Sequence, residues 1–315
     1  MAKYVTTDSL IESIKTRAFI PENQNTFSES SFLTFINEEM DIGIVPHVAS
    51  YREDYFLHTV TIDTVSGQDR YSIPHRAIGN KLREISYEDE NGSVYEMRRI
   101  GVGDVPYYQY GNTGSNYNRL RAYYLEGDEI VMLPLGGGSL GNAKLRVSYY
   151  MRPNSLVSED AVAKVTAINT TTGEITFSSL PTTFTTSEVY DIVKTRSPYN
   201  AVSIDLAPVS ISGTIVTFSP SDLPRDFKVG DYLCLAEETI IPGIPPELHS
   251  MLAQRVACRC LEALGDMQGL AAANQKLAEM EQKTVSLLDD RVEDSPQKIV
   301  NRHGFLRMGR KSLRR

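Results

Sequence analysis

The spacing of apolar residues changes twice along this chain, and that change constrains its architecture more than any other feature. Near the start, Leu10, Ile11, Ile14 and Ala18 fall on one helical face, and Phe32, Phe35, Ile36 and Met40 on another. From Tyr55 to about Ile240 the period drops to two, the spacing of strands. Helical spacing returns in Leu248, Met251, Leu252, Val256, Leu261 and Leu264, and again from Leu270 to Leu288. A helix with a single apolar face must bury that face against another element. Helices at both ends with only strands between them therefore predict an α+β fold. It is a discontinuous helical bundle formed by both chain ends, with two inserted antiparallel β-domains (small barrel or sandwich) and an extended C-terminal tail. The expected divisions are 1–53 and 241–292 for the bundle, 54–153 and 154–240 for the β-domains, and 293–315 for the tail.

Local signals fill in the elements. Asp8 or Ser9 can cap the first helix, with Glu12 completing a capping box, and Pro21 follows its end. A second helix begins near Ser28, and residues 41–53 add a short third one with Pro46 near its beginning. Ser66-Gly67-Gln68, Asn91-Gly92 and Glu126-Gly127-Asp128 each mark a hairpin bend. Within 154–240 the segment GEITFSSLP, starting at Gly173, recurs as GTIVTFSPSDLP, starting at Gly213, and each copy runs on into an acidic-aromatic strand. Two such copies are expected to superpose and to pair around a common core. Pro245-Pro246-Glu247 opens the next helix, Gly265 ends it, and Asp266 caps the last one.

Composition excludes several classes. Thirty-two Lys and Arg against 40 Asp and Glu give −8, so the chain as a whole is no general nucleic-acid binder. Three cysteines make no disulfide framework and suit a reducing compartment. No apolar run approaches the roughly 18 residues of a membrane helix, and the first 15 residues contain no stretch of signal-peptide type. Gly136, Gly138 and Gly141 spell a dinucleotide motif, but a strand follows where the motif needs a helix. The five histidines stand far apart, and Cys258 and Cys260 point about 200° away from each other on a helix, so no metal site is expected. No nucleophile elbow is present. Glu38-Glu39, Glu159-Asp160 and Asp289-Asp290 read as solvated surface. The tyrosine-rich stretch 106–124 suits an interface, though a tail or baseplate protein gripping a host-surface glycan would carry a similar loop. The residues thus point to a non-enzymatic binding or assembly protein without a cofactor.

Three stretches carry a family resemblance: FSESSFLTFINEEMDIGIVPHVASYREDYF, the run from Tyr71 to Arg83, and TIIPGIPPELHSMLAQRVACRCLEALGDMQGL with the tail RVEDSPQKIVNRHGFLR. In their order and spacing the chain resembles the head-to-tail connector (adaptor) proteins of tailed bacteriophages, especially those with short tails. The resemblance implies a ring, in this family usually of twelve copies, under the portal vertex of the virion. The ring extends the DNA channel and offers a platform for tail proteins. Packaged DNA passes through without specific binding. Such proteins assemble in the host cytoplasm and grip the portal protein with an extended C-terminal tail. In this chain that tail carries seven positive charges and no acid after Asp294. Its expected portal-binding residues are Lys298, Ile299, Val300, Arg302, Phe305, Leu306 and Arg307.

Overall fold

The computed structural model describes residues 5–21, 26–89, 91–110, 121–133, 143–196 and 201–288. The fold is mixed α+β, with four sheets among the described residues. No helix among these residues is long and apolar enough to cross a membrane.

Three helices open the chain: α1 (Thr7–Arg17), α2 (Glu29–Glu39) and α3 (Val45–Tyr51). The cap of α1 is Thr6, whose hydroxyl accepts from the Ser9 N–H, rather than Asp8 or Ser9. Ser28 caps α2 as its side-chain chemistry predicts. The expected third helix is shorter and is preceded by a π-helical turn over Met40–Ile44. Near the other end, α5 (His249–Leu264) stops at Gly265 in the left-handed conformation, φ 74°, and α6 (Met267–Leu288) follows. The Asp266 carboxylate accepts from the Gly269 N–H at the start of α6. One buried cluster takes in Leu10 and Ile14 of α1, Phe32 and Ile36 of α2, Val48 of α3, Leu252 and Val256 of α5, and Leu288 of α6.

Two facing sheets follow the helices. The first has the order β1 (Leu57–Asp63), β8 (Lys144–Met151), β3 (Ala77–Glu88), β4 (Val94–Glu96). The second runs β2 (Arg70–Ser72), β7 (Glu129–Leu133), β6 (Ala122–Glu126), β5 (Arg98–Arg99). Ile85, Leu145 and Val147 from the first meet Tyr71, Tyr123 and Ile130 from the second in one core. The far face of the second sheet carries Tyr124, Val131 and Leu133, covered by the short helix α4 (Val105–Tyr110). Asn91-Gly92 turns β3 into β4, and Glu126-Gly127-Asp128 turns β6 into β7. The bend at Ser66-Gly67-Gln68 makes no hairpin: β1 pairs with β8 and β2 with β7, so the chain changes sheets there.

The third sheet has the order β13-β12-β16-β10-β11-β15-β14. Its strands are β10 (Ala163–Asn169), β11 (Glu174–Phe177), β12 (Tyr190–Val193), β13 (Ala201–Leu206), β14 (Ser210–Ser212), β15 (Ile215–Thr217) and β16 (Tyr232–Leu235). The two edge strands, β13 and β14, are separated in the chain only by Ala207, Pro208 and Val209, so one bent strand closes the sheet into a small barrel. β10 is bent in the same way, with Ala163 and Lys164 on β16 and Val165 to Asn169 on β11. Exchanging β10, β11 and β12 for β13/β14, β15 and β16 reproduces every pairing: β11 lies against β15, and β12 against β16. The core obeys the same exchange. Val165, Ile175, Phe177, Phe184 and Tyr190 are answered by Leu206, Val216, Phe218, Phe227 and Leu233, each about 40 residues later. The barrel is joined to the rest by β9 (Ser155–Leu156) and β17 (Glu238–Thr239), which pair in parallel.

Candidate functional site

Where they are described, the three stretches that carry the resemblance meet in space, and ion pairs cross each contact. Gly79 and Asn80 are both left-handed, φ 54° and 56°, and bulge β3 against β8. Next to this bulge, Lys81 donates to Glu53 at 2.7 Å and Arg83 to Asp54 at 2.8 Å. The Tyr71–Arg83 run is thereby fixed to the end of the first stretch. The first stretch meets the third through α2 and α5. Arg259 pairs with Glu38 and, at 3.2 Å, with Glu39, while Arg255 lies 3.5 Å from Glu39 and also pairs with Glu281 of α6. Glu38-Glu39 is thus an interhelical contact and not the free solvated surface that its sequence suggests. The Thr7 N–H and hydroxyl both donate to the Ile240 carbonyl, tying the start of α1 to the segment entering α5.

At the junction of sandwich and barrel, Arg76 leaves the turn before β3 and enters the barrel wall. Its side chain is 2% exposed and that of its partner Asp191, in β12, is 0% exposed. The guanidinium bonds both Asp191 oxygens, at 2.7 and 3.0 Å, and the Asp205 carboxylate at 2.6 Å. Asp191 also accepts from Asn154 Nδ2 at 2.6 Å and from the backbone N–H groups of Asp205 and Glu237. Those two donors are non-glycine residues with positive φ, 56° and 65°. Strained backbone is therefore concentrated where it aims two N–H groups at one carboxylate. Burial opposes the Arg76 charge, but the hydrogen bonds and charges of Asp191 and Asp205 outweigh it and hold the guanidinium above its ordinary range. The sequence does signal this site. Asp191 is a lone acid within Tyr190-Asp191-Ile192-Val193, and an acid in a fully buried strand needs a cation.

Other sequence candidates lie elsewhere. Tyr123 and Tyr124 are buried on opposite faces of β6, and Tyr108 on α4 packs on the side of Tyr124. Residues 111–120 and the glycines 136, 138 and 141 lie outside the described residues. Cys258 and Cys260 are buried in α5, and burial pushes the Cys260 thiol up to about 11, which keeps it protonated and inert. Among the described residues no group of three His, Cys, Asp or Glu side chains is placed to hold a metal ion. Lys298, Ile299, Val300, Arg302, Phe305, Leu306 and Arg307 lie outside the described residues.

No curated protein matches the chain. The family model described as SU10 adaptor protein matches residues 5–181, from the start of α1 past β11. That span holds the first two of the three stretches, Arg76, and the turn that carries it. More than half of the 315 residues are matched, and the chain belongs to the SU10 adaptor protein family.

Proposed function

We propose that the protein is a head-to-tail connector of a short-tailed phage: a structural, non-enzymatic virion protein that forms a ring on the portal vertex. The ring, closed by rotation and of the twelve copies usual among the connectors that the chain resembles, extends the DNA channel and provides the platform on which tail proteins attach. In this reading the helices of both chain ends form one closed bundle that packs around the ring. Residues 293–315 reach to the portal, with Ile299, Val300, Phe305 and Leu306 filling a groove and Lys298, Arg302 and Arg307 pairing with carboxylates. Packaged DNA slides past a body that carries −15 when the seven positive charges after Asp294 are separated from the chain's −8, and like charge repels phosphate.

Membership of an adaptor family carries this reading. The shared burial of residues from both ends of the chain supports it, because a ring subunit needs a stiff body. The test is microscopy of the chain with portal-containing heads, where a ring matched to the portal is expected and any other copy number overturns the ring. Truncation after Asp294 should leave the body folded and abolish attachment, and normal docking by the truncated chain refutes the tail assignment. Salt separates portal gripping from simple DNA contact. Binding of seven charges to phosphates falls steeply with salt, whereas docking led by apolar side chains falls gently.

A further inference from the structure

β4 runs along the edge of β3 only over Ser86–Glu88. One more bond, from the Met97 N–H to the Ile85 carbonyl, continues that line before the chain crosses to the second sheet as β5. Asn80–Glu84 of β3 is thereby left without a strand on the side away from β8 among the described residues. β5 is the outer strand of its own sheet, with β6 as its one neighbour there. A cleft of about 660 Å³ opens between the two edges, lined by Asn80–Glu84, Glu96–Arg99, Tyr123 and Leu125.

Three properties of this cleft describe what fits it. The open edge offers main-chain N–H and C=O groups, which another extended backbone answers. The floor is apolar, with Met97 and Tyr123 buried in the sandwich core and Leu82 and Leu125 packed against it. A strand lying there turns alternate side chains onto that floor and the others outward. The lining is basic, with Lys81, Arg83, Arg98 and Arg99 against Glu84 and Glu96, in a chain whose acids outnumber its bases. Glu53 and Asp54, outside the cleft, already hold Lys81 and Arg83. Arg98 and Arg99 are exposed and make no ion pair among the described residues, so they remain to meet carboxylates.

We propose that this cleft docks an extended segment of a partner protein in which apolar residues alternate with acidic ones. The segment adds to the β3 edge as a strand, rests its apolar side chains on Leu82, Met97 and Leu125, and aims its carboxylates at Arg98 and Arg99. About five residues are enough, because the open edge of β3 spans about 17 Å. Backbone bonds carry the affinity, while the alternation and the two arginines decide which segment is accepted. The site is a property of the single subunit and goes beyond the ring reading.

The test uses the isolated full chain, without portal or heads, so that its failure leaves the ring reading untouched. The probe is a blocked synthetic peptide of roughly six residues alternating glutamate and valine, long enough to cover the open edge. Saturable binding is expected, with amide exchange slowed across Asn80–Glu84. Arg98→Glu with Arg99→Glu, both exposed and outside the core, should weaken binding about three- to tenfold, the worth of two exposed ion contacts. Methylating alternate peptide nitrogens, which removes the donors facing β3, should weaken it about tenfold or more. No saturable binding at millimolar peptide, equal binding of a lysine-valine peptide, indifference to the arginine reversal or to methylation, or unchanged exchange across Asn80–Glu84 would each overturn the proposal. So would a short DNA duplex that binds through Arg98 and Arg99 more tightly than the peptide, since the arginines would then serve phosphates.

Discussion

Two clusters of charge join distant parts of this chain, and they do so under opposite conditions. Arg259 and Glu38 link α5 to α2 with side chains 37% and 47% exposed, whereas Arg76 and Asp191 link sandwich to barrel almost without exposure. In the wet cluster water screens each attraction, and a pair contributes about 0–1 kcal/mol. In the dry one, removing each ion from water costs several kcal/mol. That cost is recovered only if every partner is in place, and five hydrogen bonds converge on Asp191. The exposed cluster therefore tunes how tightly the helices associate. The buried one discriminates, because a barrel seated in any other way leaves two buried charges unpaired.

The largest effect should come from breaking the dry cluster on one side. Asp191→Ala leaves the buried guanidinium with the half-exposed Asp205 as its one remaining carboxylate and should lower unfolding free energy by about 3–5 kcal/mol in chemical denaturation. Adding Arg76→Met should restore part of that loss, and a single-variant loss below 1 kcal/mol would mean that the two clusters do not differ. Next come the glycines that open the two copies of the barrel repeat. A Cβ at Gly173, φ 76°, would lie 2.0 Å from the Phe218 carbonyl oxygen, whereas one at Gly213, φ 58°, meets open space. Gly173→Ala should therefore cost about 3 kcal/mol or more, and Gly213→Ala about 1–2 kcal/mol. Equal melting shifts would contradict the packing at the first copy. Smaller again is Arg259→Ala, at about 0–1 kcal/mol, with a loss that fades in about 1 M salt; a salt-independent loss would make that cluster behave as a dry one. The gentlest is a pH slope from His249, which burial holds below the ordinary 6.5. Its neutral ring contributes stability that is complete above 6.5 and is lost as pH falls through the depressed folded value. His249→Asn should flatten the stability curve on that acid side, as thermal melts between neutral and mildly acidic pH would register.

The sequence makes local decisions legible and hides the distant ones. Ser28, Gly265, Asp266 and the turn at Glu126-Gly127-Asp128 act through bonds to close neighbours, so each can be read from a few residues. The bend at Ser66-Gly67-Gln68 looks equally good, yet β1 finds its partner in β8, across the whole sandwich. A bend does not decide which strands pair. Glu38-Glu39 has the look of a solvated helix face because its arginines lie more than two hundred positions away, on α5. Asp191 is a stronger lesson. Its place in an apolar strand demands a cation, but nothing near it in sequence says that the cation is Arg76, 115 residues earlier. The repeat at Gly173 and Gly213 was visible as spelling. The exchange of strands that it encodes required the pairing of β11 with β15 and β12 with β16.

The slender attachment of the barrel has an evolutionary consequence. It leaves and rejoins the molecule through β9 and β17, with Ser155 beside Glu238 and Leu156 beside Thr239. A module whose two ends meet can be gained, lost or replaced in one recombination event, and the backbone on either side needs little repair. What it cannot do is depart silently. A newcomer without a carboxylate where Asp191 stands leaves Arg76 as a bare charge against an apolar wall, so position 76 is where lineages that swapped this module should bear the scar.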